Sequence, residues 1–363
     1  MMIKAAPFIL KKLNIYQSPF INRQKGCTIS SFLNSEINGF SKKEDVYKLV
    51  KASLGEFQER LAAMKCLRKD DEDLSPKFSA FSLLNGETID VPADFLILNH
   101  HQPLFEKLQS TTFTDSCGTA AHIQSDLAIE KGYLEFIERQ SLIYSWLSKD
   151  PGCRVPIENI KNTVLLKKYN SISSVLNHIS FHNISIIEDI FVIMTIGFRD
   201  NIFSVGLGAD WDLNKAINSS IDEFTMIYEG MISYKGVHSE EFKTGNLYVD
   251  LFYSKNIKDF LNDISYLTNN TSYIKNKKIT ETKTKEFLIR NSLQNIKKKF
   301  DIEIYAAQIP SPYEKSQVKV VKIFSPDAYP HINTTLFDPN EYKITRFMKR
   351  KSFPNIYKMI PFA

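Results

Sequence analysis

Residues 125–147 have the sequence SDLAIEKGYLEFIERQSLIYSWL, in which apolar residues occupy nearly every side of a helical wheel. A helix that is hydrophobic on all sides is usually buried. Glu135 and Glu138 are three positions apart, so they share one face of this helix, and Arg139 lies beside them. The sequence therefore predicts a core helix that carries two carboxylates into the interior of the protein.

The same short charged motif occurs a second time, earlier in the chain. Glu56, Glu59 and Arg60 repeat its spacing within residues 41–67, where an apolar stripe predicts a helix with Ser41 as its N-terminal cap. Each motif read alone is best explained as a helix surface with local ion pairs. Two copies, one of them in an apolar helix, favour a functional cluster instead.

Two such helices that meet in a core would gather four carboxylates and two arginines. Charge at that density requires a neutralising partner. Mg²⁺ commonly bridges carboxylates to phosphate oxygens, and arginine offers forked donors to phosphate. The sequence has neither a G-x-x-x-x-G-K-[ST] loop nor a G-x-G-x-x-G turn after a strand. A nucleotide would therefore have to be held mainly through metal-bound carboxylates.

The order of the remaining elements predicts an α+β fold, a single large mixed domain over residues 1–363 with buried acidic helices packed on β-sheets. Strands are predicted at 186–198, 202–208, 302–307 and 318–324, and a further helix at 213–231. Residues 199–201 form a charged turn that makes the first two strands a hairpin. The polar, lysine-rich stretch 234–300 is predicted to be a peripheral, variable elaboration.

Composition excludes several classes of protein. The 363 residues are 43% hydrophobic and 24% charged, as in ordinary globular proteins. The formal charge of +5 is spread along the chain, which argues against nucleic acid as a partner. The four cysteines are far apart, so neither a zinc site nor a disulfide framework is expected. No segment is predicted to act as a signal peptide or to span a membrane, and a cytoplasmic location is expected.

Several motifs resemble those of the YcaO-domain family, in the order in which that family has them. Residues 115–121 (DSCGTAA) and 135–139 (EFIER) resemble its ATP-binding signature, and residues 55–60 (GEFQER) resemble its first acidic helix. The 206–208 segment (GLG) that leads to Glu223 is similar to its third acidic helix. Residues 318–326 resemble a late core strand, and 361–363 the C-terminus. The chain is most similar to cyclodehydratase subunits of microcin-type thiazole/oxazole synthetases.

This resemblance implies ATP and Mg²⁺ as cofactors and assigns roles to particular side chains. By the family's motifs, Mg²⁺ would be held by Glu56, Glu59, Glu135 and Glu138. Glu223 would support these ligands, and Arg60, Arg139 and Lys322 would contact phosphate or fix the acids. The resemblance also implies a functional C-terminal tail at 357–363, in which the terminal carboxylate of Ala363 would take part in proton transfer.

The implied reaction is ATP-dependent cyclodehydration of a ribosomally made precursor peptide. A Cys, Ser or Thr side chain of the peptide attacks the preceding carbonyl, and phosphorylation turns the resulting oxygen into a leaving group, giving a thiazoline or oxazoline ring. The implied partners are the precursor peptide, a leader-binding subunit like ubiquitin-activating enzymes, and an FMN-dependent azoline dehydrogenase. Together they would form a hetero-oligomeric complex.

Three other hypotheses remain open from the sequence. A thioamide-forming YcaO enzyme would deliver sulfide to the activated amide, which changes the peptide mass differently from loss of water. A non-catalytic scaffold is suggested by Ile123 and Leu127, which stand where family members often have metal-binding Asn and Glu. A nucleic-acid binder would rest only on the basic residues after position 338 and would show strongly salt-sensitive binding.

Overall fold

The computed structural model describes residues 10–33, 37–66, 77–98, 114–160, 162–236, 247–274, 284–312, 316–348 and 352–362. The strands are β1 Leu10–Gln17, β2 Lys25–Ser31, β3 Asn38–Lys43, β4 Lys77–Ser82, β5 Thr88–Pro92, β6 Thr119–His122, β7 Cys153–Arg154, β8 His178–Asn183, β9 Phe191–Arg199, β10 Ile202–Asp210, β11 Tyr305–Ile309 and β12 Lys319–Phe324. The helices are α1 Val46–Lys65, α2 Ser125–Ser148, α3 Thr163–Ser173, α4 Leu213–Gly236, α5 Leu247–Ser254, α6 Ile257–Asp263, α7 Ser265–Thr268, α8 Lys285–Phe300 and α9 Lys343–Arg346.

The described strands form three antiparallel sheets, with the orders β1-β2-β3, β10-β9-β8-β7 and β5-β4-β11-β12-β6. The predicted hairpin is present as β9 and β10, in which Phe203 pairs with Phe198 and Val205 with Ile196. The first strand of this hairpin starts at Phe191, later than predicted, and Ile186 and Ile190 pack in the core ahead of it. The α+β fold class is confirmed.

Helix α2 is the buried helix that the sequence predicted. It packs against β12 and β6 of the third sheet and against β10 of the second. Tyr133 and Ile137 lie one turn apart on one side of the helix and Trp146 lies on the opposite side, and all three side chains are almost fully buried. The helix ends where Lys149 adopts a left-handed conformation (φ 51°). The acidic motif is therefore held between two sheets.

Helix α1 begins later than the sequence predicted. Its N-terminal cap is Asp45, whose carboxylate accepts a hydrogen bond from Lys48 N (2.8 Å). Ser41 is not a cap, because it pairs with Cys27 in the β2–β3 ladder. The strand lies very close to the helix: a Cβ atom added at Gly39 would lie 2.0 Å from Ser53 O. This contact fixes α1 against the first sheet.

The stretch 234–300 was predicted to be peripheral, and this is wrong for its described parts. Phe260 of α6 stacks on Phe203 of β10 at a centroid distance of 4.1 Å. Ser292 of α8 shares a buried hydrogen bond (2.8 Å) with the Tyr133 hydroxyl of α2. Further residues of α5 to α8 belong to the main core: Phe252, Ile264, Leu267, Leu293, Ile296 and Phe300. Most of the charged residues of these helices are on their outer sides, so composition alone did not reveal the packing.

A search of the described helices found none long and apolar enough to cross a membrane.

Candidate active site

A cavity of about 390 Å³ lies where α1, α2, α4 and β3 meet. Six of the predicted site residues line it: Glu56, Glu59, Arg60, Glu135, Arg139 and Glu223. They come from three helices that are far apart in the sequence, α1, α2 and α4. The fold thus gathers both acidic motifs, and the acid of the third helix, around one space.

Backbone N–H groups hold the carboxylates of α1 in place. Glu56 accepts a hydrogen bond from Phe40 N of β3 (2.7 Å), and its other oxygen pairs with Arg60 Nη2 (3.0 Å). Glu59 accepts from Ala121 N of β6 (2.7 Å). Burial, followed by the negative charge of Glu56, raises the pKa of Glu59 to about 7. The positive charge around this carboxyl is therefore too small to keep it fully ionised near neutral pH.

The two carboxylates of α2 are in a similar environment. Burial is the main cause that raises the pKa of Glu135 to about 8, and Arg139 opposes it. Burial raises the pKa of Glu138 to about 8 as well, again against the effect of Arg139. Glu223 of α4 accepts a hydrogen bond from Leu207 N, and burial raises its pKa. A cluster of acids that retain protons near neutral pH is suited to bind a cation.

Arg139 lies at the centre of these acids and keeps one donor group free. Its Nη2 lies 3.7 Å from Glu223 Oε1, and its Nε lies 3.8 Å from Glu138 Oε1. Its Nη1 is buried and has no hydrogen-bond partner among the described residues. A buried, unpaired guanidinium nitrogen is costly unless a ligand accepts from it. Phosphate oxygens are ligands of the right charge and geometry.

Glu138 and Lys322, two of the predicted ligands, do not line the cavity. Glu138 Oε1 lies 3.8 Å from Arg139 Nε, and the backbone N–H of Ala209 lowers the pKa of its carboxyl against the larger effect of burial. Lys322 of β12 donates to Asp115 O (2.6 Å). Its ammonium thereby ties the loop ahead of β6 to the third sheet.

That loop brings Ser116 and Thr119 to the cavity. Asp115 shapes it, because one carboxylate oxygen accepts from Cys117 N (2.8 Å) and the other from Ile332 N (2.7 Å). Gly118 has a φ of 73°, and a Cβ atom there would lie 2.3 Å from Ile323 O, so only glycine fits. The DSCGT sequence therefore forms a tight turn.

The C-terminal segment, residues 352–362, reaches this site. The ring of Phe362 lies 4.9 Å from the Arg139 guanidinium carbon, and Tyr248 of α5 donates to Ile360 O (2.9 Å). Ala363, to which the resemblance assigned a catalytic carboxylate, lies outside the described residues.

Among the described residues, no group of three or more His, Cys, Asp or Glu side chains is arranged to hold a metal ion by itself. Mg²⁺ in phosphotransfer sites typically takes one or two carboxylates and completes its shell with phosphate oxygens and water. The carboxylates of Glu56, Glu59 and Glu135 line one cavity together with Arg60 and Arg139, and this set fits such a metal–phosphate pair.

Residues 52–328 match the family model described as "YcaO cyclodehydratase, ATP-ad Mg2+-binding". The chain belongs to the YcaO family. As a member of this family, it is an ATP- and Mg²⁺-dependent cyclodehydratase. The two cofactors expected from the sequence, ATP and Mg²⁺, are confirmed. A comparison with curated proteins gave no match.

Solved YcaO structures share the fold at low sequence identity. The E. coli microcin synthetase McbBCD complex has a chain with TM-score 0.70 and 19% identity, covering 100% of this chain and 98% of that one. The same complex with pro-MccB17 bound gives TM-score 0.71 and 20% identity, covering 97% and 96%. YcaO from Methanopyrus kandleri, bound with AMPPCP and Mg²⁺, gives 0.67 and 13%, covering 88% and 86%.

A group of charged residues that was not recognised from the sequence also lines the cavity. Lys42 and Lys43 of β3 and Asp222 of α4 line the YcaO cavity. Lys43 Nζ lies 3.4 Å from Asp222 Oδ2, and the buried Lys168 of α3 pairs with the other oxygen of this carboxylate. Ile123 and Leu127, the departures from the family pattern, do not line the cavity. Nothing in the local sequence around Lys42 and Lys43 distinguishes them from surface lysines.

Proposed function

We propose that the cavity binds Mg²⁺ and ATP and that the chain uses them to cyclise Cys, Ser or Thr residues of a precursor peptide to thiazolines or oxazolines. The observation that carries this proposal is the meeting of acids from three helices with Arg60 and Arg139 around one cavity. The family supplies the reaction class, and the cavity supplies groups of the right charge for both cofactors.

Each residue has a proposed role that follows from its position. Glu56, Glu59 and Glu135 present carboxylates to the cavity and would hold Mg²⁺, with Glu223 in support. Arg139 and Arg60, which both line the cavity, would donate to phosphate. Glu138 and Lys322 would act indirectly, since the first lies against Arg139 and the second holds the 115–118 loop.

ATP supplies the phosphoryl group that converts an amide oxygen into a leaving group. The residues of the chain provide the charge balance for this transfer. Carboxylates and guanidinium groups fixed by backbone hydrogen bonds need little reorganisation as charge develops. The terminal carboxylate of Ala363 would act in proton transfer within the proposed functional tail, residues 357–363.

The proposed partners follow from the resemblance and from the complexes in which similar chains have been solved. One solved neighbour is the McbBCD complex with pro-MccB17, and another is a heterocyclase in complex with substrate and cofactor. We therefore propose a peptide substrate and a hetero-oligomer that includes a leader-binding subunit like ubiquitin-activating enzymes and an FMN-dependent azoline dehydrogenase. A cytoplasmic location is also proposed, and all four cysteines are free thiols.

The test is a calorimetric titration of ATP into the chain with and without Mg²⁺. Glu135→Gln should abolish Mg²⁺-dependent binding, because an amide cannot provide the anionic ligand. Glu286→Gln is the matched control, since this exposed residue of α8 is outside the cavity. Binding without metal dependence, or equal binding by both variants, would contradict the site.

The reaction itself is tested on a precursor peptide with the partner subunits present. The proposal expects loss of one water per ring in the product mass and release of phosphate from ATP. A gain in mass from exchange of oxygen for sulfur would identify a thioamide-forming enzyme. Modification that survives Glu135→Gln would identify a scaffold subunit.

A further inference from the structure

The C-terminal segment is anchored at several points before it reaches the active site. Trp146 Nε1 of α2 donates to Lys358 O (3.0 Å), and Asn355 Nδ2 donates to Trp146 O (2.9 Å). The last of the described anchors is Tyr248, whose hydroxyl donates to Ile360 O (2.9 Å). Tyr248 belongs to α5, in the stretch that the sequence indicated to be peripheral.

Two residues beyond this anchor, the segment forms one side of the Arg139 environment. Phe362 is 1% exposed, and its ring faces the guanidinium at 4.9 Å. The ion pairs of Arg139 to Glu138 and Glu223 are long, 3.8 and 3.7 Å, and neither is a forked pair. They therefore define the plane of the guanidinium poorly. An aromatic face against a guanidinium constrains that plane directly.

We infer that Tyr248 is a positioning residue for Arg139. Its hydrogen bond to Ile360 O holds Phe362 against the guanidinium and so keeps the Arg139 side chain in place at the cavity wall. The inference rests on the proposed function, in which this guanidinium meets a nucleotide phosphate. It extends the active site to a hydroxyl that does not line the cavity, and it makes the affinity for nucleotide depend on the register of the C-terminal segment.

The experiment measures binding of AMPPCP with saturating Mg²⁺ by calorimetry to the full-length chain. Tyr248→Phe removes only the anchoring hydroxyl, and we expect the affinity to fall about tenfold, as for a misplaced charge-assisted hydrogen bond. Tyr253→Phe is the matched control. It makes the same change in the same helix, where the ring stacks on Tyr234 (5.6 Å) and has no described contact with the segment. We expect its affinity to stay within about twofold of the wild type.

A second variant separates positioning from general loss of structure. Phe362→Leu keeps an apolar side chain but removes the aromatic face, and it should lower the affinity as much as Tyr248→Phe. Because both changes act through one contact, the double variant should bind no more weakly than either single variant. Thermal unfolding of all variants checks that the affinities refer to folded protein.

Different outcomes overturn different statements. Additive losses in the double variant, or equal losses in Tyr248→Phe and Tyr253→Phe, would overturn the positioning role. If the wild-type chain binds AMPPCP and the Tyr248→Phe variant binds it with the same affinity, this inference is overturned and the proposed function is not. A wild-type chain that does not bind AMPPCP with Mg²⁺ would overturn the proposed function itself.

Discussion

The carboxylates of Glu59, Glu135 and Glu138 retain protons in the metal-free chain at pH values where glutamate is normally ionised. Burial is the first cause in each case, and it raises the pKa to about 7 for Glu59 and about 8 for the other two. Because the folded-state pKa lies above the unfolded value, the folded state binds these protons more tightly. Their contribution to stability is complete below about pH 4 and is lost as the pH rises through 8.

We therefore predict that the metal-free chain becomes less stable between about pH 5 and pH 9. The Glu135→Gln variant should show a smaller decline, by roughly 1–3 kcal/mol in the free energy of unfolding at pH 9, because its amide does not ionise. Urea unfolding over this pH range measures both. A wild-type stability that is flat with pH, or that rises towards pH 9, would contradict the protonated state of the cluster.

Lys322 gives a second prediction at the level of a single side chain. It is 3% exposed, and its ammonium donates to Asp115 O (2.6 Å). Lys322→Met keeps much of the volume but leaves that carbonyl oxygen without its donor, so we expect a loss of roughly 1–3 kcal/mol in the free energy of unfolding. Lys319→Met, at the exposed start of the same strand, is the control and should change it by less than about 0.5 kcal/mol. Equal effects would show that the loop does not depend on this bond.

The sequence revealed the residues of the site whose signals are local. Two acidic motifs at helical spacing, one of them in an apolar helix, indicated Glu56, Glu59 and Glu135. Lys43 and Asp222 could not be found in this way, because they are 179 positions apart and each looks like an ordinary surface charge. The sequence also did not reveal that Glu138 lies beside Arg139 and not on the cavity wall, because residues on one helix face point in only approximately the same direction.

The contact between α4 and β10 shows how a whole element can position an acid. A Cβ atom at Gly206 would lie 2.2 Å from Ser220 O and 2.2 Å from Phe224 N, so the helix lies directly on the strand. Glu223 is held at the same contact by its hydrogen bond from Leu207 N. The 206–208 segment was recognised in the sequence as part of the family's pattern, and the structure gives the physical reason for its glycines.

We predict that Gly206→Ala moves α4 away from β10 and weakens nucleotide binding together with stability. Overpacking against backbone atoms should cost roughly 1–3 kcal/mol or more in the free energy of unfolding. Gly236→Ala at the end of the same helix, where an added Cβ meets nothing within 4 Å, should be neutral or slightly stabilising. Urea unfolding and AMPPCP titration measure the two effects, and a Gly206→Ala variant as stable as Gly236→Ala would refute the close contact.

Helix boundaries were less predictable than the helices themselves. The apolar stripe of α1 was visible, but Ser41 looked like a cap as good as Asp45. The pairing of β2 with β3 continues to Lys43, and this long-range contact moves the start of the helix to Val46. The strand pairing, and not the local apolar pattern, therefore determines the residue at which α1 begins.

For the molecule as a whole, the main error concerned the stretch 234–300. Its lysines suggested a solvated attachment, yet two of them contact core elements: Lys285 pairs with Glu130 (2.7 Å), and Lys299 donates to Ile186 O (2.6 Å). The signal that was overlooked is the spacing of Leu293, Ile296 and Phe300, which places one apolar stripe on α8. The described part of the stretch completes the core that supports α2, β10 and the C-terminal segment.

A matched pair of leucines tests whether this stretch is part of the cooperative unit. Leu267 of α7 is 1% exposed and belongs to the main core, whereas Leu251 of α5 is 44% exposed. Leu267→Ala should lower the free energy of unfolding by roughly 2–5 kcal/mol, because it leaves a cavity in the shared core. Leu251→Ala should lower it by less than about 1 kcal/mol. Urea unfolding followed by Trp146 and Trp211 fluorescence reports on the core outside the stretch. If Leu267→Ala left this transition unchanged, the stretch would unfold independently, and the acidic helices would not depend on it.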